Sequence, residues 1–119
     1  MKTNNANTPW FTKPFQHHRI PTALFSPSFS GMSSESKLTY AVLLSRLCLS
    51  HTNGWQTKDG RPYVYCTNQE LQLLLNCGHD KATSVLRELE SHGLLIRQAK
   101  FAGPSRLILL NFAADAENP

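Results

Sequence analysis

The sequence has no apolar run approaching the roughly 18 consecutive residues that a membrane-spanning helix needs, so no membrane association is expected. The N-terminal stretch MKTNNANTPW has a single lysine and no apolar segment. No secretory signal is read there, and a cytoplasmic location is the expectation. The 3 cysteines are odd in number and none stand in C-x-x-C spacing, which argues against a disulfide framework or a zinc ribbon. They read as reduced, mostly buried thiols, with Cys48 in a helix, Cys66 in a strand and Cys77 in a turn. A metal site built from Cys66, Cys77, His79 and another histidine would rely on a Cys-x-His pair, an unusual chelate spacing. No metal and no cofactor are expected. His17 and His18, just before Arg19 in an irregular segment, read as solvated. There is no Gly-rich phosphate loop, no H-E-x-x-H and no nucleophile elbow. The acids Asp59, Asp80, Glu88 and Glu90 fall in turns or on exposed helix faces, so no catalytic residue is assigned and an enzyme is not expected.

What is present suits one small domain. The chain has 119 residues, 40% hydrophobic and 17% charged, enough for a single modest core. A net charge of +4 and a pI near 9.2 suit a polyanionic partner, although many unrelated small domains are equally basic.

The most informative stretch is TNQELQLLLNCGHDKATSVLRELESHG, residues 67–93. Thr67 and Glu70 form a T-x-x-E capping box, in which the hydroxyl takes an orphan N–H and the carboxylate reaches back to the cap. Leu71, Leu74 and Leu75 then put apolar groups on one helical face. Asn76, Cys77 and Gly78 end that helix. A second helix starts near His79, with Ala82, Val85, Leu86 and Leu89 at i, i+3, i+4 and i+7, and Gly93 stops it. So short a break makes the two helices cross, as in a helix-turn-helix that holds its second helix out toward the major groove. Two short helices alone would equally fit a plain helical hairpin. The apolar strand 94–97 and the Gly-Pro turn after it favour a winged helix-turn-helix, an α+β fold of three core helices and a small antiparallel sheet.

Elsewhere, residues 1–14 read as a mobile segment, 15–112 as the domain and 113–119 as a frayed tail. Prolines 9, 14, 21 and 27 interrupt the N-terminal region, yet Trp10, Phe11, Phe15, Phe25 and Phe29 also lie there, and disordered tails are poor in aromatics. An aromatic arm is therefore expected to dock, from about Phe15, on its own chain or on a partner. The first helix is predicted from an N-cap at Ser33 to about Leu49, with Glu35 favoured in its first turn. Its apolar residues cover most of the circumference, leaving Thr39 and Arg46 as a polar strip. A surface helix needs a stripe of only roughly 100°. This helix is thus either central to the fold or covered by a second chain. Asp59-Gly60 signals a hairpin turn, after which Val64 and Cys66 alternate with Tyr63 and Tyr65, and Pro62 implies an edge position. Strands at 94–97 and 106–110 flank a wing at 100–105. The apolar run 107–110 must partly face solvent unless something covers it.

The chain resembles the N-terminal domain of the RepA-type replication initiators of theta-replicating plasmids in Gram-positive bacteria. The stretches that carry the resemblance are RIPTALF at 19–25, MSSESKLTYAVLLSRLCLS at 32–50, NGWQTKDGRPYVYCT at 53–67 and LLLNCGHDKATSVLRELESHGLL at 73–95. It spans about residues 15–112. The resemblance implies a dimeric winged-helix domain that binds repeated sites in double-stranded DNA at a plasmid origin. It also implies host replication proteins as partners through a linker and C-terminal domain beyond these residues. Wings of the family are richer in Lys and Gly than KFAGPS, and the strand after it carries Ile and Leu where a Tyr is usual. The second helix is accordingly expected to contribute more than the wing.

With Ala82, Val85, Leu86 and Leu89 inward, the helical wheel turns Asp80, Lys81, Ser84, Arg87, Glu88 and Ser91 outward and leaves Thr83 at the border. The leading half of a recognition helix enters the groove first, which selects His79, Lys81, Thr83, Ser84 and Arg87 as candidate DNA contacts. Arg and Lys read guanine O6 and N7, whereas Ser and Thr often take phosphate. The plainer alternative for Lys81 and Arg87 is a solvated face, with Arg87 paired to Asp80, Glu88 or Glu90. Lys100 and Arg106 flank the wing and are candidate phosphate clamps. Thr67 stands at a helix N-terminus but is explained by its capping role. Surplus apolar surface on the first helix, the arm and the 107–110 run predicts a homodimer. Two other roles use the same module: a transcriptional regulator, and a winged helix serving protein–protein interaction.

Overall fold

The N-terminus of the first helix is set by Ser33, whose hydroxyl accepts the Ser36 N–H at 3.2 Å, as an N-cap should. The computed structural model describes residues 17–54, 56–99 and 104–110, and at 50–53 the backbone alone. In it, helix α1 spans Ser34–Asn53, past the predicted end at 49. No breaker intervenes before Gly54, whose φ of 79° supplies the left-handed residue at the helix end. Tyr40, Ala41 and Leu43 of α1 are buried, and Leu44 and Leu47 pack against the core.

The polar strip expected on α1 is not where the wheel put it. Thr39 is only 2% exposed. Its hydroxyl donates to the Glu35 carbonyl at 2.8 Å, so the side chain satisfies itself on its own helix and enters the core without an orphan polar group. Arg46 is half-buried and donates to the Tyr65 carbonyl at 2.9 Å while pairing with Glu70 at 3.1 Å. The solvent side instead carries Leu38, Ser45 and Leu49, with Leu38 and Leu49 exposed.

The arm packs on its own chain. Short 3-10 turns at Thr22–Phe25 and Pro27–Phe29 bury Leu24 and Phe29. The ring of Phe29 lies 6.2 Å from that of His92, at the end of the second helix of the motif. The His18 ring nitrogen Nδ1 stands 2.8 Å from the Ser45 hydroxyl, which places the arm along α1. Phe25 does not dock: it is 65% exposed beneath the Lys37 ammonium. Trp10, Phe11, Phe15, the segment 1–14 and the tail 113–119 lie outside the described residues.

The hairpin turn forms at Asp59-Gly60, with Gly60 at φ 87° and the Thr57 N–H on the Arg61 carbonyl at 2.8 Å. The segment after the turn is not a regular strand. Gln56 bridges Pro62, and Val64 exchanges two backbone bonds with Leu107, at 2.9 and 2.8 Å. Pro62 has no N–H to extend a ladder, so pairing is confined to single bridges. Val64 and Cys66 face the core and Tyr63 and Tyr65 lie half-buried, edge to face at 5.5 Å.

Helix α2, Asn68–Leu75, begins with the complete capping box. Glu70 N–H donates to Thr67 Oγ1 and Thr67 N–H to Glu70 Oε1, each at 3.1 Å. Leu71 is buried and Leu75 packs against the core, but Leu74, expected inward, is half exposed. Asn76 ends the helix at φ 52°, a left-handed position that Asn tolerates better than most residues. Helix α3, His79–Ser91, buries Ala82, Val85, Leu86 and Leu89 as the spacing predicts. It closes with the paired bonds of a Schellman motif, Leu94 N–H to Leu89 O and Gly93 N–H to Glu90 O, both at 3.0 Å, with Gly93 at φ 75°.

Strand β1, Leu95–Gln98, pairs antiparallel with β2, Arg106–Leu109, in the register Leu95 to Leu109 and Gln98 to Arg106. Of the run 107–110, expected to face solvent in part unless covered, Leu107 and Ile108 are buried and Leu109 and Leu110 half-buried. β2 is paired on both edges, by β1 and by Val64, and α1 reaches its end through the Tyr40 hydroxyl, which donates to the Leu110 carbonyl at 2.9 Å. Among the described residues no helix is long and apolar enough to cross a membrane.

Candidate nucleic-acid interface

The outward face of α3 is defined by what the inward face must bury. His79, Asp80, Lys81, Ser84, Arg87 and Ser91 are all exposed. Asp80, Ser84, Arg87 and Ser91 are spaced 4-3-4, so they form one stripe along the helix. The exception is Glu88, which the wheel turned outward. It is half-buried, and its Oε1 accepts the hydroxyls of Ser33 and Ser36 and the Ser33 N–H, capping α1 from another helix. Those hydroxyls, Ser36 first, hold the Glu88 carboxyl below its usual range.

The consequence falls on Arg87. Two acids that might have neutralised it are engaged elsewhere, Glu88 on the two serines and Glu90 on Arg97 at 2.8 Å, while Asp80 is fully exposed with the His79 ring nitrogen 3.5 Å away. Among the described residues Arg87 has no ion-pair partner, and it is exposed. Lys81 differs. Its ammonium lies 3.4 Å from Glu35 at the start of α1. The Glu35 carboxyl is lowered, chiefly by a backbone hydrogen bond at its own position and then by the charge of Lys81.

Thr83 is half-buried at the border, where its hydroxyl accepts from Asn68 Nδ2 at 3.0 Å. Lys100 lies outside the described residues. Arg106 is not displayed as an open clamp: its guanidinium lies over the Tyr63 ring at 4.6 Å, and its buried Nε has no hydrogen-bond partner among the described residues. Cation–π stacking, with no signature in local sequence spacing, draws it onto the Tyr63 side of the sheet.

Between α3, the start of α2 and the strand ends at Arg97 and Ser105 runs a cleft of about 270 Å³ lined by Thr67, Asn68, Thr83, Arg97 and Ser105 among others. Asn68, Arg97 and Ser105 were not singled out from the sequence. Arg97 had a signal, as a cation in the strand after the second helix. Asn68 had none, because its partner Thr83 lies on another helix. Hydroxyl, amide and guanidinium donors facing one groove suit phosphate oxygens and base acceptors. The cysteines depart from expectation in part: Cys66 is buried, with its thiol pushed up by burial, whereas Cys77 is half-buried and Cys48 exposed. Among the described residues no three His, Cys, Asp or Glu side chains come together as a metal site.

Three helices, the crossed α2–α3 pair and the β1–β2 hairpin behind it define a winged helix-turn-helix. Similar folds are found in solved structures described as the N-terminal domain of a DNA binding protein, with TM-score 0.71, 29% identity and 98% of this chain against 97% of that one. Others are a Rep-DNA complex, with TM-score 0.66, 30% identity and coverage of 92% and 83%, and an MDR initiator, with TM-score 0.68, 29% identity and coverage of 99% and 100%. A 41 kDa protein of Lactobacillus helveticus is 33% identical over 67 residues, which is 56% of this chain and 19% of that protein's length. The chain belongs to the family described as the replication initiator protein A (RepA) N-terminus, which it matches over residues 16–119.

Proposed function

We propose that this chain is the DNA-binding domain of a replication initiator, holding repeated duplex sites at a plasmid origin with α3 in the major groove. The observation that carries this reading is the exposed guanidinium of Arg87 on the outward stripe of α3, without an ion-pair partner among the described residues while Glu88 and Glu90 of the same helix are engaged elsewhere. A free guanidinium on such a helix is suited to guanine O6 and N7. The family, and the similarity to a Rep-DNA complex, support it. The role is binding without catalysis, and host replication proteins would be recruited through regions beyond this domain.

The working unit is a homodimer. The apolar surface that motivates it excludes β2, which is covered by its own chain. It consists of the outer stripe of α1, where Leu38, Val42, Ser45 and Leu49 are spaced 4-3-4 and Leu38 and Leu49 are exposed, with exposed Phe25 before the helix.

Fluorescence anisotropy with random duplex, single strands and fragments carrying direct repeats tests the reading. Duplex should bind better than single strands, and log affinity should fall with log salt by about 0.9 per phosphate contact. Absence of salt-sensitive binding to every duplex, repeats included, would overturn it.

A further inference from the structure

We infer that Asn68 is a positioning residue that locks the Thr83 hydroxyl as a hydrogen-bond donor facing the cleft, where it takes a DNA phosphate oxygen. The inference rests on the DNA-binding reading and assigns it one contact. Asn68 is the first residue of α2, and its amide makes three contacts. Nδ2 lies 3.0 Å from Thr83 Oγ1 and 3.3 Å from the His79 carbonyl, and Oδ1 accepts from Gln72 Nε2 at 2.6 Å.

The direction of these bonds is not a free choice. A backbone carbonyl only accepts, so the atom of Asn68 beside the His79 carbonyl must be the NH₂. That same NH₂ faces Thr83, so the Thr83 oxygen must accept. A hydroxyl has one proton, and Thr83 donates it to no group among the described residues. Thr83 lines the cleft beside α3 together with Arg97 and Ser105. A hydroxyl whose inward lone pair is occupied presents its proton outward. The acceptor that suits it, in a cleft also lined by Ser105 and by the Glu90-paired Arg97, is an anionic phosphate oxygen. Such a contact fixes the register of α3 on the duplex and reads no base.

The test uses the 119-residue chain and a duplex selected by the wild-type protein from a random library. Thr83→Val keeps the shape and removes the hydroxyl, and Thr83→Ser restores it. Asn68→Asp leaves Thr83 in place but puts a carboxylate where the donor stood, drawing the Thr83 proton inward. Thr83→Val should bind the selected duplex on the order of tenfold more weakly, the scale of a hydrogen bond to a charged group, with its base preferences unchanged. Thr83→Ser should bind as wild type. In ethylation interference, one phosphate whose modification weakens wild type and Thr83→Ser should cease to matter for Thr83→Val and Asn68→Asp. If Asn68→Asp does not fold, the two Thr83 variants decide the matter. An unchanged ethylation pattern in Thr83→Val, or a changed base preference at one pair, overturns the assignment while leaving DNA binding intact. If the wild-type protein selects no duplex, the DNA reading itself fails and takes this contact with it.

Discussion

Glu88 Oε1 lies 2.7 Å from Ser33 Oγ, so a carboxylate on α3 caps the N-terminus of α1. The Ser36 hydroxyl and the Ser33 N–H at 3.1 Å complete its shell. The negative charge also stands at the positive end of the α1 dipole. One side chain thereby ties the helix proposed to read DNA to the start of the central helix of the core.

Replacing Glu88 should therefore loosen the domain in a pH-dependent way. Glu88→Ala should cost about 1–3 kcal/mol, since three hydrogen bonds to a charged acceptor are lost, with water replacing part of them at a half-buried site. The Ser36 and Ser33 hydroxyls lower the folded-state value of this carboxyl. Its contribution is thus full above the unfolded carboxylate value of about 4.3 and is lost as pH falls through the lower folded value. Thermal melts from pH 7 to pH 3 should show a shallower acid limb in Glu88→Gln than in wild type. Parallel limbs would show that the charge of Glu88 adds nothing.

Arg87 and Lys81 should separate in binding assays. Arg87→Ala should cost about 1–3 kcal/mol on a selected site and relax specificity at one position. Lys81→Ala should cost less, because Lys81 must first leave Glu35, 3.4 Å away. Lys100→Ala should weaken all duplexes alike and lower the salt slope by about one. Circular dichroism melts should stay near wild type for Arg87→Ala and Lys81→Ala, since both side chains are exposed. Loss of sequence discrimination in Lys100→Ala with Arg87→Ala unaffected would move the reading surface off α3.

Tyr40 offers a test from the alkaline side. Burial pushes its hydroxyl up to about 12. The neutral phenol is the form the fold favours, so this stabilisation is full below the unfolded value of about 10 and is lost as pH rises toward about 12. Tyr40→Phe should cost about 1 kcal/mol at neutral pH through the lost bond to the Leu110 carbonyl. Denaturant titrations at pH 8, 10 and 11 should show a smaller alkaline loss in Tyr40→Phe. An equal loss in both proteins would assign the alkaline weakness to other groups.

Sedimentation should report a dimer without DNA at high micromolar concentration. Leu49→Glu, at a side chain 67% exposed in the chain alone, should yield a folded monomer, and Leu73→Glu, on α2 and outside the Leu38–Leu49 stripe, should not. A wild-type monomer at that concentration would remove the dimer from the proposal.

The features legible in the sequence are those whose cause lies within a turn or two of chain. Thr67 and Glu70 meet because three residues of helix bring them together, and the α3 core comes from spacing at Ala82, Val85, Leu86 and Leu89. Gly93 stops α3 because the left-handed position there suits a residue without a Cβ. These local causes also yielded the winged-helix order of elements and the outward placement of His79, Lys81, Ser84 and Arg87.

The polar partnerships were decided by tertiary structure. Periodicity says which face a side chain leaves from, but a long side chain chooses its partner from whatever packing brings within reach. Glu88 left its expected face for serines on α1, and by doing so left Arg87 without a counter-ion among the described residues. Thr39 went inside because a carbonyl on its own helix satisfies it, and Arg106 went to the Tyr63 ring. Leu107 and Ile108 are buried in a strand that has a neighbour on each edge, β1 on one side and an isolated bridge to Val64 on the other. The sequence by itself determined the elements and their order, since these depend on local hydrogen bonding and apolar spacing. Which donors and charges remain available to a ligand was decided only when α1, α2 and α3 met, because it depends on contacts between residues far apart in the chain.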